Sequence, residues 1–173
     1  IVVAGRRPGQ RFITGTGQNA HRDFNFEKDP EAMRTLLGAR VPLVFAPWEV
    51  SSKVWIKQAE LDAWTRGNEA TKWLAAQAPS WFQLWQDRFQ VDGFNPFDTL
   101  AVAYLTHPEL LRCESTRLRI VDGPDDVRPP EDPGPRSTKP FLLTGAEGRQ
   151  ATYCHDVDAR FVEVLQSTLT RSR

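Results

Sequence analysis

The chain has 173 residues, enough for one domain with a substantial core. Hydrophobic residues make up 40% and charged residues 25%, which excludes a disordered, collagenous or coiled-coil protein. Lys and Arg (22) balance Asp and Glu (22), so the chain lacks the positive field on which most nucleic-acid and anionic-membrane binders rely. We therefore expect a neutral or weakly charged small molecule as ligand, and neither a nucleic acid nor a membrane as partner.

The first half of the chain predicts a strand, a helix and a second strand. Residues 1–5 form a β-branched run typical of a strand buried on both faces of a parallel sheet, so we expect the natural protein to extend upstream. Asp29 and Pro30 predict a helix start, which Gly38 ends. The apolar run at residues 41–46 predicts the next strand. This order indicates a parallel crossover unit, whose ligand binds at the carboxyl ends of the strands.

The middle of the chain is predicted to be helical and rich in tryptophan. All six tryptophans lie between residues 48 and 85, and most are expected to pack in the core. Pro79 predicts a break between two helices, the second capped by Ser80. Asp98 precedes a helix over residues 100–105 that is apolar on nearly every face, and is therefore expected to be buried.

The last third predicts strands around a proline-rich segment. Residues 117–120 alternate as a half-exposed strand would, and the run at 124–140 predicts a surface excursion. A strand at 151–155 and a helix at 161–168 close the chain. Together these elements predict an α/β fold in a single domain covering residues 1–173, or in the C-terminal portion of a larger domain.

Two segments carry candidate binding chemistry. In Asp23-Phe24-Asn25, a carboxylate and an amide on alternate positions of an extended loop would both face a hydroxyl-bearing ligand such as a sugar, with Phe24 on the opposite side. The alternative is an Asx-rich turn that satisfies its own backbone. Asp98 is either a helix cap or a ligand of a hard cation. One carboxylate does not suffice, because calcium takes roughly six to eight oxygens.

The histidines and cysteines offer no recognisable constellation. His21, His107 and His155 have neither triad nor metal spacing and are expected to be exposed or hydrogen-bonded. Cys113 and Cys154 lack the pairing of a zinc site and are too few for a disulfide scaffold, so they are expected to be buried, inert thiols. A reducing, cytoplasmic compartment is the corresponding expectation.

Two longer segments carry a family resemblance. The sequences D-F-N-F-E-K-D-P-E-A from Asp23 and F-N-P-F-D-T-L-A-V-A from Phe94 resemble two signatures of the inosine-uridine preferring nucleoside hydrolases: E-F-N followed by D-P-E-A-A, and H-D-P-x-A-x-A. The resemblance spans nearly the whole chain but only about the second half of the family's domain. It implies a Rossmann-like fold with a mostly parallel sheet and flanking helices, of which this chain is the C-terminal portion.

The resemblance implies hydrolysis of the N-glycosidic bond of a ribonucleoside to a free base and ribose. Bound calcium would hold the attacking water and the ribose hydroxyls. Asp98 would be a calcium ligand, Asp23 and Asn25 would hold the ribose, and Phe24 would pack near the sugar. Asn19 would match a further ribose-binding asparagine of the family, although its spacing differs by two residues. A homo-oligomer is expected, as is common in the family.

Three departures from the family pattern bear on the chemistry. Asp23 replaces the usual Glu and is shorter by one methylene. Phe97 stands where many members carry a histidine that protonates the leaving base, so activation must come from elsewhere, such as stacking by a tryptophan. The amino-terminal cluster D-x-D-x-x-x-D-D, which supplies the other calcium carboxylates and the catalytic base, has no counterpart here. A missing N-terminal half of the domain is expected to supply it.

Two alternatives stay open. The chain could be a hydrolase-derived domain without catalysis that serves as a ligand-binding or interaction module. It could also be a purely structural, tryptophan-rich helical module, in which Asp98 affects only stability.

Overall fold

A computed structural model describes residues 1–16, 20–127, 131 and 133–171. The helices are α1 (Phe24–Lys28), α2 (Pro30–Gly38), α3 (Trp48–Ser51), α4 (Gln58–Thr65), α5 (Glu69–Phe89), α6 (Thr99–Thr106) and α7 (Phe161–Thr170). The strands are β1 (Val44–Phe45), β2 (Leu111–Pro124), β3 (Thr138–Gly145) and β4 (Arg149–Val157), and a single 3₁₀ turn (Pro108–Leu110) precedes β2.

The four strands form one mixed sheet in the order β1-β4-β2-β3. Only β1 and β4 run parallel, whereas β2 is antiparallel to both of its neighbours. The expectation of a mostly parallel sheet was therefore wrong. The connection between β3 and β4 is too short for a helical crossover. The two strands do not pair with each other, and each is antiparallel to a different half of the long β2.

The amino-terminal strand is much shorter than predicted. Val2 forms an isolated parallel bridge with Phe45, and its amide donates to the Val44 carbonyl at 2.8 Å. Ile1 is 44% exposed, whereas Ala4 is 3% exposed, so burial increases along this segment. The β-branched composition predicted the extended conformation near Val2, but regular pairing in the described residues is limited to this one bridge.

The predicted start of α2 is confirmed. The Asp29 side chain accepts a hydrogen bond from the Ala32 amide at 2.9 Å, and Pro30 occupies the first turn. The predicted break at Pro79 is wrong, because α5 is one continuous helix of 21 residues that includes this proline. Ala75 before the proline and Phe82 after it are both buried, so packing holds the two parts in one helix despite the lost backbone hydrogen bond.

Helix α6 begins after Asp98 as predicted, but it is not buried on every face. Leu100 is fully buried and Ala103 nearly so, whereas Val102 is 61% and Leu105 is 74% exposed. Only one side of the helix faces the apolar cluster around Ala46, Leu110 and other buried residues. No described element covers the opposite side of α6. Composition alone does not show which sides of an apolar helix are covered.

The cysteines also differ from expectation, because Cys113 and Cys154 are joined by a disulfide. Strands β2 and β4 place the two residues directly opposite each other, and this cross-strand register is not visible in sequence spacing. The prediction of free thiols was wrong. No helix among the described residues is long and apolar enough to span a bilayer.

The described ends of the proline-rich excursion are anchored to the sheet. Asp125 is 1% exposed, forms an ion pair with Arg22, and its amide donates to the Ser137 carbonyl at 2.8 Å. Val127 is buried as well. The excursion is thus bounded by β2 and β3, and its first residues belong to the packed body of the protein.

Candidate functional site

A cavity of about 570 Å³ lies beyond the carboxyl end of β1. Trp48 and Ser51 reach it from α3, the helix that follows β1 directly. Its polar lining comprises Thr14, His21, Arg22, Asp23, Asn25, Ser51 and Asp98. Its aromatic lining comprises Phe24, Trp48, Trp81, Trp85, Phe89 and Phe97. The cavity therefore contains every candidate site residue that the sequence indicated among the described residues. Asn19 lies outside them.

Asp23 is the buried anchor of this site. It is only 5% exposed, and its two carboxylate oxygens accept from the amides of Phe26 at 2.9 Å and Gly5 at 2.8 Å. Burial raises the pKa of this carboxyl above its ordinary value, against the opposing effect of the two amides. Asp23 thus caps α1 and connects it to the amino-terminal segment. Its bond with the Phe26 amide is the alternative expected from the sequence, an Asx turn that satisfies its own backbone.

The extended-loop geometry predicted for this motif was wrong. Phe24 and Asn25 are in the first turn of α1, where side chains do not alternate between two faces. Phe24 lines the same cavity as its neighbours and is 71% exposed. The exposed Asn25 donates from its amide nitrogen to the Val3 carbonyl at 2.8 Å. That bond orients the side chain, and its carbonyl oxygen has no protein partner within the described chain.

Asp98 is exposed to the cavity and is not engaged by its own helix. It occupies the position before α6 with helical dihedrals, φ −74° and ψ −14°, and makes no side-chain capping bond among the described residues. The Thr99 hydroxyl instead donates to the Pro96 carbonyl at 2.7 Å. The capping alternative was therefore wrong, and the carboxylate is available to a ligand.

The described donors do not by themselves make a calcium site. Within residues 1–16, 20–127, 131 and 133–171, no group of three His, Cys, Asp or Glu side chains is placed to hold a metal. Asp23 already accepts two backbone amides, which leaves Asp98 as the uncommitted carboxylate of the cavity. The fully buried Ser51 hydroxyl, which has no partner in the described chain, is an additional neutral oxygen.

Five aromatic side chains form a closed cycle of ring contacts along the cavity, which we call the aromatic cage. Neighbouring centroids lie 5.5, 6.4, 5.7, 5.2 and 5.3 Å apart in the order His21, Trp48, Phe97, Trp85, Phe89 and back to His21. The sequence did not predict this cage, since its members come from four separate segments. The only local signal is the spacing of Trp81, Trp85 and Phe89, which places them on one face of α5.

Comparisons with known proteins find one matching family and similar folds. A family model described as inosine-uridine preferring nucleoside hydrolase matches residues 10–162. Comparison with curated proteins returns no match. Among solved structures, a plant nucleoside hydrolase, the PpNRh1 enzyme, is similar with a TM-score of 0.70 and 15% identity, over 92% of this chain and 51% of that chain. A purine-preferring ribonucleoside hydrolase from Gardnerella vaginalis is similar with a TM-score of 0.69 and 20% identity. This match covers 98% of this chain and 51% of that chain.

These likenesses confirm the predicted α/β fold, with the correction that the sheet is mixed. At such identities they show the fold alone. The chain spans about half the length of the two solved structures it matches.

Proposed function

Because the chain belongs to the inosine-uridine preferring nucleoside hydrolase family, we propose that it supplies the C-terminal part of an enzyme site that hydrolyses the N-glycosidic bond of a ribonucleoside. The observation that carries the proposal is the Asp98 carboxylate, which is free of its helix and lines one cavity with Asn25 and Asp23. Polar and aromatic side chains that line the same cavity suit a ligand that joins a sugar to a heterocyclic base.

The polar residues take the ribose in this proposal. Asn25 is oriented by its bond to the Val3 carbonyl, so its amide oxygen can accept from a ribose hydroxyl. Asp23 holds α1 in place and retains lone pairs for a second hydroxyl contact. Phe24, at the start of the same helix, packs near the sugar. Glycosidic cleavage passes through an oxocarbenium-like state, which such hydroxyl contacts and nearby negative charge stabilise.

The base takes the aromatic side of the cavity. Phe97 cannot donate a proton, so the departing base must be stabilised by other groups. Trp85 contacts both Phe97 and Phe89, and stacking against these rings is worth roughly 0.5–1.5 kcal/mol beyond burial.

Calcium is the proposed cofactor of the complete enzyme, with Asp98 as one ligand. A calcium ion would lower the pKa of the attacking water and neutralise nearby carboxylates. The donor set of the described residues is too small for such an ion. We propose that the remaining carboxylates, and the base that takes a proton from water, belong to a missing N-terminal half of the domain.

The test is ribose release by the protein that includes the coding sequence upstream of Ile1. Inosine, uridine and adenosine are incubated with wild type, Asp98→Asn and Asp62→Asn, and the reducing sugar is measured. Asp62 is an exposed carboxylate on α4 that is not among the residues lining the cavity, and it serves as the matched control. We expect Asp98→Asn to lower kcat/KM at least about 100-fold, as loss of a group that acts on the transition state does. Equal activity of the three proteins would contradict the proposal.

A non-catalytic module is the second candidate, favoured by the incomplete donor set. It predicts nucleoside binding without ribose release in the longer protein.

We also propose self-association, since the exposed Val102 and Leu105 on α6 offer apolar surface that a second copy could cover. The cytoplasmic location stays a prediction, and the Cys113–Cys154 disulfide is unusual for a reducing compartment.

A further inference from the structure

His21 is the member of the aromatic cage whose ring carries both hydrogen-bonding functions. Its imidazole lies edge-on to Phe89 and tilted against Trp48, with centroid distances of 5.3 and 5.5 Å. Its backbone amide donates to the Phe12 carbonyl at 2.7 Å, which fixes the residue at the cavity wall. Within the described chain, neither ring nitrogen has a hydrogen-bond partner.

The protonation state of this imidazole suits a neutral ligand. Burial lowers the pKa of His21, and the nearby Arg88 guanidinium lowers it further. The ring is therefore neutral at pH 7, so one nitrogen donates and the other accepts. The other cage members differ in this respect, because indole only donates and phenyl does neither.

We propose that His21 is the polar contact of the cage for a heterocyclic base, and that it hydrogen-bonds the ring-nitrogen and carbonyl edge of the base while the faces of the base pack on Trp85, Phe89 and Phe97. This inference rests on the proposed function, which gives the sugar to Asp98 and Asn25 in the cavity lining. A neutral imidazole among apolar rings is complementary to a flat molecule with polar atoms at its edge. His21 is thus a residue that selects the base and not merely a packing ring.

The experiment compares two flat ligands by NMR titration of the chain. Hypoxanthine carries edge acceptors and donors, whereas indole has similar shape and almost none. Indole N–H signals of the cage tryptophans, Trp48 and Trp85, report cage occupancy, and the Cε1 signals of the three histidines report ring contact. The variants are His21→Phe, which keeps an aromatic ring in the cage, and His107→Phe, a half-exposed control outside the cavity lining.

We expect His21→Phe to weaken hypoxanthine binding about 3- to 10-fold, the value of one net hydrogen bond, and to leave indole binding within about two-fold. His107→Phe should change neither affinity. In wild type, hypoxanthine should shift the His21 signal, which the spectra of His107→Phe and His155→Phe identify by elimination among the three histidines. This last measurement holds even if His21→Phe does not fold.

Equal hypoxanthine affinity in wild type and His21→Phe would overturn the inference, as would an equal loss for both ligands, which indicates packing alone. An unshifted His21 signal at saturation would overturn it too. If hypoxanthine binds nowhere in the cavity, this inference fails, while ribose release and its loss in Asp98→Asn still judge the proposed hydrolase function independently.

Discussion

Replacing Asp23 by alanine should destabilise the protein far more than an ordinary helix cap would explain. The side chain caps α1 through the Phe26 amide and also accepts from the Gly5 amide, and it is 5% exposed. Loss of the cap costs about 1 kcal/mol. The unpaired, buried Gly5 amide costs a further 1–3 kcal/mol or so. We therefore expect Asp23→Ala to lower the free energy of unfolding by about 2–4 kcal/mol.

Asp29→Ala is the matched control for this measurement. Asp29 also caps a helix, through the Ala32 amide, but it is exposed and has no second tether. Its replacement should cost only about 1 kcal/mol. Urea denaturation at pH 7, followed by far-UV circular dichroism, measures both values. If Asp23→Ala costs no more than Asp29→Ala, the tether between α1 and the amino-terminal segment does not have the strength inferred from its geometry.

The pH dependence gives Asp23 a second signature. Its pKa is raised in the folded protein, chiefly by burial, so the folded state binds its proton more tightly than the unfolded state does. The corresponding stability is fully present below the unfolded pKa and is lost as pH rises through the folded pKa. The stability advantage of wild type over Asp23→Asn should therefore be larger at pH 3.5 than at pH 7. An advantage that grows with pH would contradict this reasoning.

Three further results are expected from the fold. Thiol labelling of the unfolded chain without reductant should find no free cysteine, and replacing Cys113 and Cys154 by serine should lower the free energy of unfolding by up to about 4 kcal/mol; two reactive thiols would contradict the disulfide. Pro79→Ala should stabilise the exposed middle of α5 by up to about 3 kcal/mol in urea denaturation, whereas a loss would indicate that the helix needs the proline. In the unassociated chain, Leu100→Ala should cost about 2–5 kcal/mol and Leu105→Lys less than about 0.5, and comparable costs would mean that other residues of the same chain cover the outer side of α6.

Local signals in the sequence predicted the elements that depend on local chemistry. Asp29 and Pro30 determine the start of α2 through capping and a fixed backbone angle, and neither needs a distant partner. The closing strand and helix were also located from their periodicity. Pro79 and α6 were misjudged because their outcome depends on which neighbours lie against them: buried residues on both sides of the proline in one case, and an uncovered face in the other.

The site was predictable only in part, for the same reason. The family motifs indicated Asp23, Asn25 and Asp98, and these residues do line one cavity, although their roles stay predictions. The helical conformation of Phe24 was missed, since Asp23 caps a turn that its own side chain helps to form. His21 and the rest of the aromatic cage could not be predicted, because tertiary packing brings their four segments together.

We propose that the Asp98 carboxylate completes a calcium site whose other ligands lie outside the described residues. Calorimetric titration with calcium tests it most directly, on the 173-residue chain and on the longer protein, each with Asp or Asn at position 98. We predict weak binding by the short chain with either residue, tight binding by the longer protein, and at least about a tenfold loss when Asp98 becomes Asn. Tight calcium binding by the short chain, or equal affinity of the longer protein with Asp and Asn at this position, would contradict the claim.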